Sequence, residues 1–407
     1  MPWWGCCTNV AALPNAPARA PRGQTAAACV HFDPSSLAFR LEETAMSDRL
    51  TRARAAIEEA GLDALLVTNP YNRRYLSGFT GSAGWLVVSA DAALLATDFR
   101  YWEQVGSQAP DFTLYKQEGA QADWLPGFVE ALGGRKLGFE AAQMSVAAHK
   151  QLRDTLAAMP APKRPALVQS EGLVEQVRAV KDAEELDALE RAVLLGDEAF
   201  NDVAGRVQPG WSELRVAWEI EKYAREHGAE AMSFATIVGG GPWGAMPHAY
   251  PREMPLEAGK PIVIDMGVIV DGYCSDMTRT IVLGEPDAKF QEVYDIVLTA
   301  QETAEATVES GMTGGQAHMI AQNIISEAGY GDRFGHGLGH GVGLEIHEHP
   351  RLGRTSEDVL ADGMVITVEP GIYLPGWGGI RIEDMGVLEN GRFRNFTTAP
   401  KLRMVGA

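Results

Sequence analysis

The sequence predicts two unequal units, a smaller α/β unit followed by a larger α+β unit made of two helix-helix-sheet halves. Three observations predict it. Apolar runs of strand length alternate with helical periodicity up to a proline-rich stretch at Pro160–Pro165. Beyond that stretch, two helices followed by strands occur twice in the same order. Each set of strands ends in a segment carrying two carboxylates: Asp265 and Asp276 in the first, Glu369 and Glu383 in the second. Sequence identity between the halves is negligible, so the duplication rests on the order of elements.

Residues 1–45 stand apart, rich in Ala and Pro, without periodicity, and holding Cys6, Cys7 and Cys29. They lack the basic start and sustained apolar core of a signal peptide. A disordered or wrongly assigned extension is expected there, with the working protein starting near Met46. Only Cys274 then remains, which excludes a disulfide framework and points to a reducing, cytoplasmic compartment.

A helix reads from Leu50 to Gly61, and the runs Ala64–Thr68, Trp85–Ser89 and Ala93–Thr97 read as strands. Ala122–Leu132 and Val146–Ala157 have helical patterns. These elements form a unit over 46–172, and a boundary near 173 opens the unit over 173–407. There, Asp182-Ala183-Glu184-Glu185 is a capping-box signature, followed by Leu186, Leu189 and Val193 at helical spacing. A second helix runs from Ser212 to His227 and stops at Gly228. The second half opens with helices at Ala288–Ser310 and Gly315–Ala328.

The 407 residues, 46% apolar and 22% charged, suit a soluble globular chain with room for two domains. With 54 acidic against 35 basic residues, the net charge of −19 disfavours nucleic acid and anionic membrane surfaces as partners. No run of about 18 apolar residues is present, so no membrane span is expected.

In Val263–Asp276 and Val368–Glu383 an apolar, β-branched run enters a turn signal and returns. The turns are Asp271-Gly272 and Pro375-Gly376. The two acids of each pair should therefore sit at similar heights on neighbouring strands. Four acids in apolar strands are expensive to bury as free charges, and a cation removes the difficulty. The segment Gly335–Glu348 adds His336, His340 and His347 among glycines at alternate positions. Those glycines argue against a helical zinc pair, since each costs about 1 kcal/mol relative to Ala in a helix. Extended backbone would send His336 and His340 to one face. His248 follows a glycine-rich loop. Singly, each residue has a bland reading: Asp271 as a turn residue, the glycine-histidine loop as ordinary loop, Glu369 as a satisfied strand-end acid. Together they would need unrelated causes for every buried polar group.

The segment Asp265–Thr280, the glycine-histidine segment, Val368–Gly371 and Arg381-Ile382-Glu383-Asp384 closely resemble the pita-bread (M24) metallopeptidases. Within that family the similarity is to Xaa-Pro aminopeptidases and prolidases, and it spans about residues 46–405. The resemblance implies a pita-bread catalytic domain of duplicated halves behind a creatinase-type N-terminal α/β domain. It also implies five ligands for two divalent ions. Asp265 would hold one ion, Asp276 and Glu383 would bridge, and His340 and Glu369 would hold the other. Four carboxylates and one imidazole form a hard donor set, suited to Mn²⁺, with Co²⁺ or Zn²⁺ as alternatives.

By the same resemblance, a hydroxide bridging the ions attacks the carbonyl preceding proline, and Glu369 shuttles its proton. His248 and His347 would bond the substrate, His336 would line the proline pocket, and Arg381 would orient a ligand acid. Arg351 matches a position that can hold the proline carboxylate in prolidases. The expectation is cleavage of Xaa-Pro bonds in peptides by a homodimer, with aminopeptidase activity ahead of dipeptidase activity. Cys274 matches a small strand residue and is expected to be structural. Rival readings are a creatinase-like amidinohydrolase, which lacks the metal set, and a methionine aminopeptidase, which does not usually carry the N-terminal domain. A non-catalytic binding or scaffold protein of this fold would typically lose ligands.

Overall fold

The computed structural model describes residues 49–132 and 135–406. The expected extension over 1–45, the start near Met46, and Cys6, Cys7 and Cys29 lie outside the described residues.

The first unit runs α1 (Arg49–Glu59), β1 (Ala64–Val67), α2 (Pro70–Ser77), β2 (Trp85–Ser89), β3 (Ala93–Thr97), α3 (Trp102–Gln108) and β4 (Thr113–Lys116). It continues with α4 (Gln121–Val129), β5 (Lys136–Glu140), α5 (Val146–Ala157) and β6 (Ala166–Ser170). Its strands make one mixed sheet in the order β4-β3-β2-β1-β5-β6. Alternation along the strands splits their side chains between two faces. Leu65, Val67, Leu86 and Val88 pack with α1, while Ala64, Leu66 and Val87 pack with α4 and α5. With both faces covered, β1 to β3 are almost wholly apolar, which is why they could be read. The half-exposed β4 and β6 carry no such run. Polar α2 announces itself only by its cap: the Asn69 side chain accepts from the backbone of Tyr71 and Asn72, and Pro70 takes the first helical position.

α6 (Leu173–Ala179), whose Leu173, Val174 and Val177 share a core with α1, leads into α7 (Ala183–Ala204) and α8 (Glu213–Glu226) of the second unit. The capping box at the start of α7 forms, with Asp182 accepting from the Glu185 amide and Glu185 accepting from the Asp182 amide. Then come β7 (Ala231–Met232), β8 (Ile237–Gly240), β9 (Pro261–Met266), β10 (Val268–Val270), β11 (Tyr273–Cys274) and β12 (Met277–Leu283). The second half repeats the plan with α9 (Ala288–Thr307) and α10 (Gly314–Glu327), then β13 (Gly339–Gly341), β14 (Glu348–Leu352) and β15 (Val365–Val368). It closes with β16 (Gly371–Leu374), β17 (Gly378–Arg381), β18 (Asp384–Glu389), β19 (Arg392–Asn395) and β20 (Met404–Val405). The main sheets are β20-β12-β9-β8 and β14-β13-β15-β18-β19, with β16-β17 and β11-β10-β7 as smaller ribbons. This is the duplicated helix-helix-sheet plan expected from the sequence.

Each half has its own core, and that decides which way the acids face. Ile262, Ile264 and Met266 pack with α7 and α8 residues such as Phe200 and Ile220, so Asp265 emerges on the opposite face of β9. Ile366, Val368, Ile380 and Ile382 pack with Phe290 and Val297 of α9, so Thr367, Arg381 and Glu383 emerge on the other side. A register slip of one residue would bury every acid among aliphatic side chains, so the register is strongly specified. No helix among the described residues is long and apolar enough to cross a membrane.

Candidate metal centre and active site

The first hairpin turns at Asp271 (φ 49°) and Gly272 (φ 80°). Two consecutive left-handed residues make the turn whose twist matches paired strands, so Asp271 takes the turn role. It also pairs with Arg191 at 2.6 Å on the surface. Across β9 and β12, Asp265 pairs with Thr278, which sets Asp276 one diagonal step away on the same face. In the second hairpin Val368 pairs with Asp384 and Gly371 with Arg381, a common register that puts Glu369 opposite Glu383. Equal height thus holds for the second pair, while the first is offset by one step. The offset arises because Asp265 lies two residues farther from the turn than Gly267, the position opposite Asp276 in this register.

Both hairpins face a cavity of about 1000 Å³. His340 enters it from β13, and its backbone N–H donates to Thr367 Oγ1 at 3.1 Å. His340 Nδ1 lies 3.1 Å from the Gly341 carbonyl, and donation there leaves the Nε2 lone pair free. That lone pair faces Asp276 Oδ2 and Glu369 Oε1, each at 3.6 Å. Burial, followed by the neighbouring His347, lowers the His340 pKa to about 3, so the ring is neutral. Donor atoms of Asp276, His340 and Glu383 all lie within 4.8 Å of one another. Asp265 Oδ1 is buried without a hydrogen-bond partner among the described residues.

Burial, with the other acids adding repulsion, raises Asp276 and Glu383 well above the ordinary carboxylate range. Glu369 rises to about 8, again chiefly through burial, although Arg381 opposes the shift. Carboxylates crowded closely enough to oppose one another's charge, an orphaned carboxylate oxygen and a neutral imidazole form a donor set that fits divalent cations.

Arg381 braces this set. It pairs with Asp265, donates from Nε to Thr278 Oγ1 at 3.0 Å and reaches the Tyr373 hydroxyl at 2.8 Å. Thr278 in turn donates to Glu383 Oε2 at 2.6 Å. One guanidinium therefore ties together acids from both halves.

Residues 187–390 match metallopeptidase family M24, and residues 49–180 match the creatinase/prolidase N-terminal domain. The chain belongs to metallopeptidase family M24. An Xaa-Pro dipeptidase of Pyrococcus furiosus is 35% identical over 360 residues, covering 88% of this chain and 100% of the relative. The solved structure of an Xaa-Pro dipeptidase from Bacillus anthracis is 39% identical, covers 88% of this chain and 99% of its own, and superposes with a TM-score of 0.83. For an X-Pro aminopeptidase from Thermotoga maritima the identity is 34%, the coverage 86% and 100%, and the TM-score 0.79.

In this M24 peptidase the three non-ligand histidines of the sequence reading reach the cavity in different states. Arg381 donates to the Tyr373 oxygen, so the Tyr373 hydroxyl donates onward to His336 Nε2 at 2.8 Å. His336 Nδ1–H then donates to the Gly337 carbonyl at 2.8 Å, and both ring nitrogens are occupied. His347 lies edge-on to His340 with ring centroids 4.4 Å apart. His248 is exposed to the cavity, as is Arg351. The Arg351 guanidinium has no hydrogen bond or ion pair among the described residues, while its backbone N–H is held by Asp358 at 2.7 Å.

Tyr373, Thr278 and Thr367 were not singled out by the sequence reading. No local pattern marks them, because their importance lies in cross-strand neighbours. Cys274 does not line the cavity. It is buried, with Sγ 3.9 Å from the Leu344 carbonyl, and burial pushes its thiol up to about 12.

Proposed function

We propose that the chain hydrolyses the bond between any residue and a following proline, with Xaa-Pro dipeptides as the preferred substrates. The observation that carries this reading is the composition of one cavity. It joins the Asp265, Asp276, His340, Glu369 and Glu383 donor set to Arg351, a cation with no ion pair among the described residues, and to His248, His336 and His347. The relatives named Xaa-Pro dipeptidase support placing the dipeptide ahead of longer peptides, which reverses the order expected from sequence.

Two divalent ions, manganese first, would be held by the five donors, supplying Lewis acidity and a water of lowered pKa. The chain's own residues do the rest. Glu369, deep in the cavity, accepts a proton from the attacking water and passes it toward the leaving proline nitrogen. His248 and His347, whose side chains are not engaged by other described hydrogen-bonding groups, bond the carbonyl oxygen as charge develops on it. His336 has no free N–H to offer, so it presents its ring to the proline. Arg351 takes the carboxylate of the dipeptide, a charge-assisted contact that longer peptides lack at that place.

Rates on Xaa-Pro and Xaa-Pro-Xaa peptides of matched first residue, with added Mn²⁺ or Co²⁺, test the reading. The dipeptide should be cleaved faster. Arg351→Met should raise its KM about tenfold or more with a smaller effect on the tripeptide. Faster cleavage of the tripeptide would install aminopeptidase activity instead. Failure to cleave either, with Glu369→Gln as the inactive control, would overturn both.

A further inference from the structure

Glu348 follows His347 directly and begins β14, but its side chain points away from the cavity into a buried cluster of charges. Arg178 and Lys181 both donate to its carboxylate, and the three side chains are only 3%, 2% and 1% exposed for Glu348, Arg178 and Lys181 respectively. Arg178 and Lys181 come from the end of α6 and the segment after it. Arg178 Nη1 donates to Asn72 Oδ1 at 2.8 Å, and Asn72 Nδ2 donates to Glu140 Oε1 at 2.7 Å. Glu140 closes the chain by accepting from the Thr68 and Asn69 amides at 2.6 and 2.7 Å. A continuous buried polar path thus runs from the C-terminal ends of β1 and β5 to the residue beside His347.

Apart from the edge-on contact with His340, little else among the described residues fixes that histidine. Residues 343–347 form consecutive bends, and His347 makes no hydrogen bond to another described residue. On the β13 side Glu348 has one strand partner, Gly341. The loop lies so close over the carboxylate that a Cβ on Gly343 would come within 2.4 Å of Glu348 Oε1. Arg178 also reaches Glu345 of the same loop at 3.9 Å, so its charge answers two acids of the segment around His347 while Lys181 answers Glu348. We propose that Arg178 and Lys181, acting through Glu348, are positioning residues for His347, so that the segment joining the two units sets the aim of a group that contacts substrate. The inference rests on the substrate-bonding role given to His347 above.

Lys181→Met tests it, because Arg178 still neutralises Glu348 and circular dichroism and bound metal should stay as in the wild type. With His347 present, kcat on an Xaa-Pro dipeptide should fall about tenfold, the scale of a small misplacement, with KM nearly unchanged. In a His347→Ala background the same substitution should change kcat by less than about twofold. Equal losses in both backgrounds, or no loss in the folded single variant, would overturn the positioning role. Should Lys181→Met not fold, Arg178→Lys decides by the same cycle, since it keeps the charge but breaks the link to Asn72. Wild-type kcat in His347→Ala alone would instead refute the role of His347 and the inference with it.

Discussion

Arg381 makes contacts that no other side chain could reproduce together. Its planar fork reaches Asp265, Thr278 Oγ1 and Tyr373 at once, with a longer contact of 3.4 Å to the Pro247 carbonyl beside His248. A lysine carries the same charge but a single nitrogen, so it can keep one or two of these contacts. Without the rest, the Asp265 carboxylate can rotate and Tyr373 loses the donor that fixes its own hydrogen toward His336. Arg381→Lys should therefore fold, bind Mn²⁺ about 10- to 100-fold more weakly by calorimetry, and lose activity in proportion. Unchanged metal affinity would show that Asp265 is oriented by its strand alone.

At the scale of elements, β13 shows what the alternating glycines are for. A Cβ on Gly339 would fall 2.0 Å from the Thr367 carbonyl oxygen, and one on Gly341 would fall 2.0 Å from that of His349. The strand carrying His340 is pressed between backbones on either side, and only glycine allows that approach. Gly341→Ala should destabilise by about 1–3 kcal/mol in chemical denaturation and weaken metal binding, because the strand must shift with His340 on it. The sequence made the glycine pattern visible, yet periodicity alone could exclude a helix and no more. The two acid hairpins were legible because turn chemistry and β-branched runs are local signals. The diagonal offset of Asp265 and Asp276, the role of Tyr373 and the Arg178–Glu348–Lys181 cluster were not, since each joins segments 70 or more residues apart or depends on cross-strand register. Likewise β1 to β3 could be read from apolar runs, whereas α2 and the half-exposed strands carry too little pattern.

For the molecule as a whole, the same buried acids set how stability depends on pH. Glu369 is raised from its ordinary 4.5 to about 8, and Asp276 and Glu383 are raised well above the ordinary carboxylate range, by burial first and repulsion from neighbouring acids next. A carboxylate whose folded pKa is raised holds its proton more tightly folded than unfolded. Its contribution is complete below the unfolded pKa and is lost as pH climbs through the folded one. Groups such as Asp182, Asp358 and Glu348 are shifted the other way, so their contribution is lost in acid. The metal-free chain should therefore be most stable at mildly acidic pH and weaken between pH 6 and 8. A bound divalent cation neutralises the cluster and removes most of that slope. Thermal melts of chelator-treated protein should show a lower midpoint at pH 8 than at pH 6, and the gap should narrow with Mn²⁺. Because the net charge of −19 adds general repulsion as histidines lose protons, Glu369→Gln is the needed control. It should flatten the metal-free slope in part. A slope identical to wild type would assign the pH dependence to the surface and not to the metal centre.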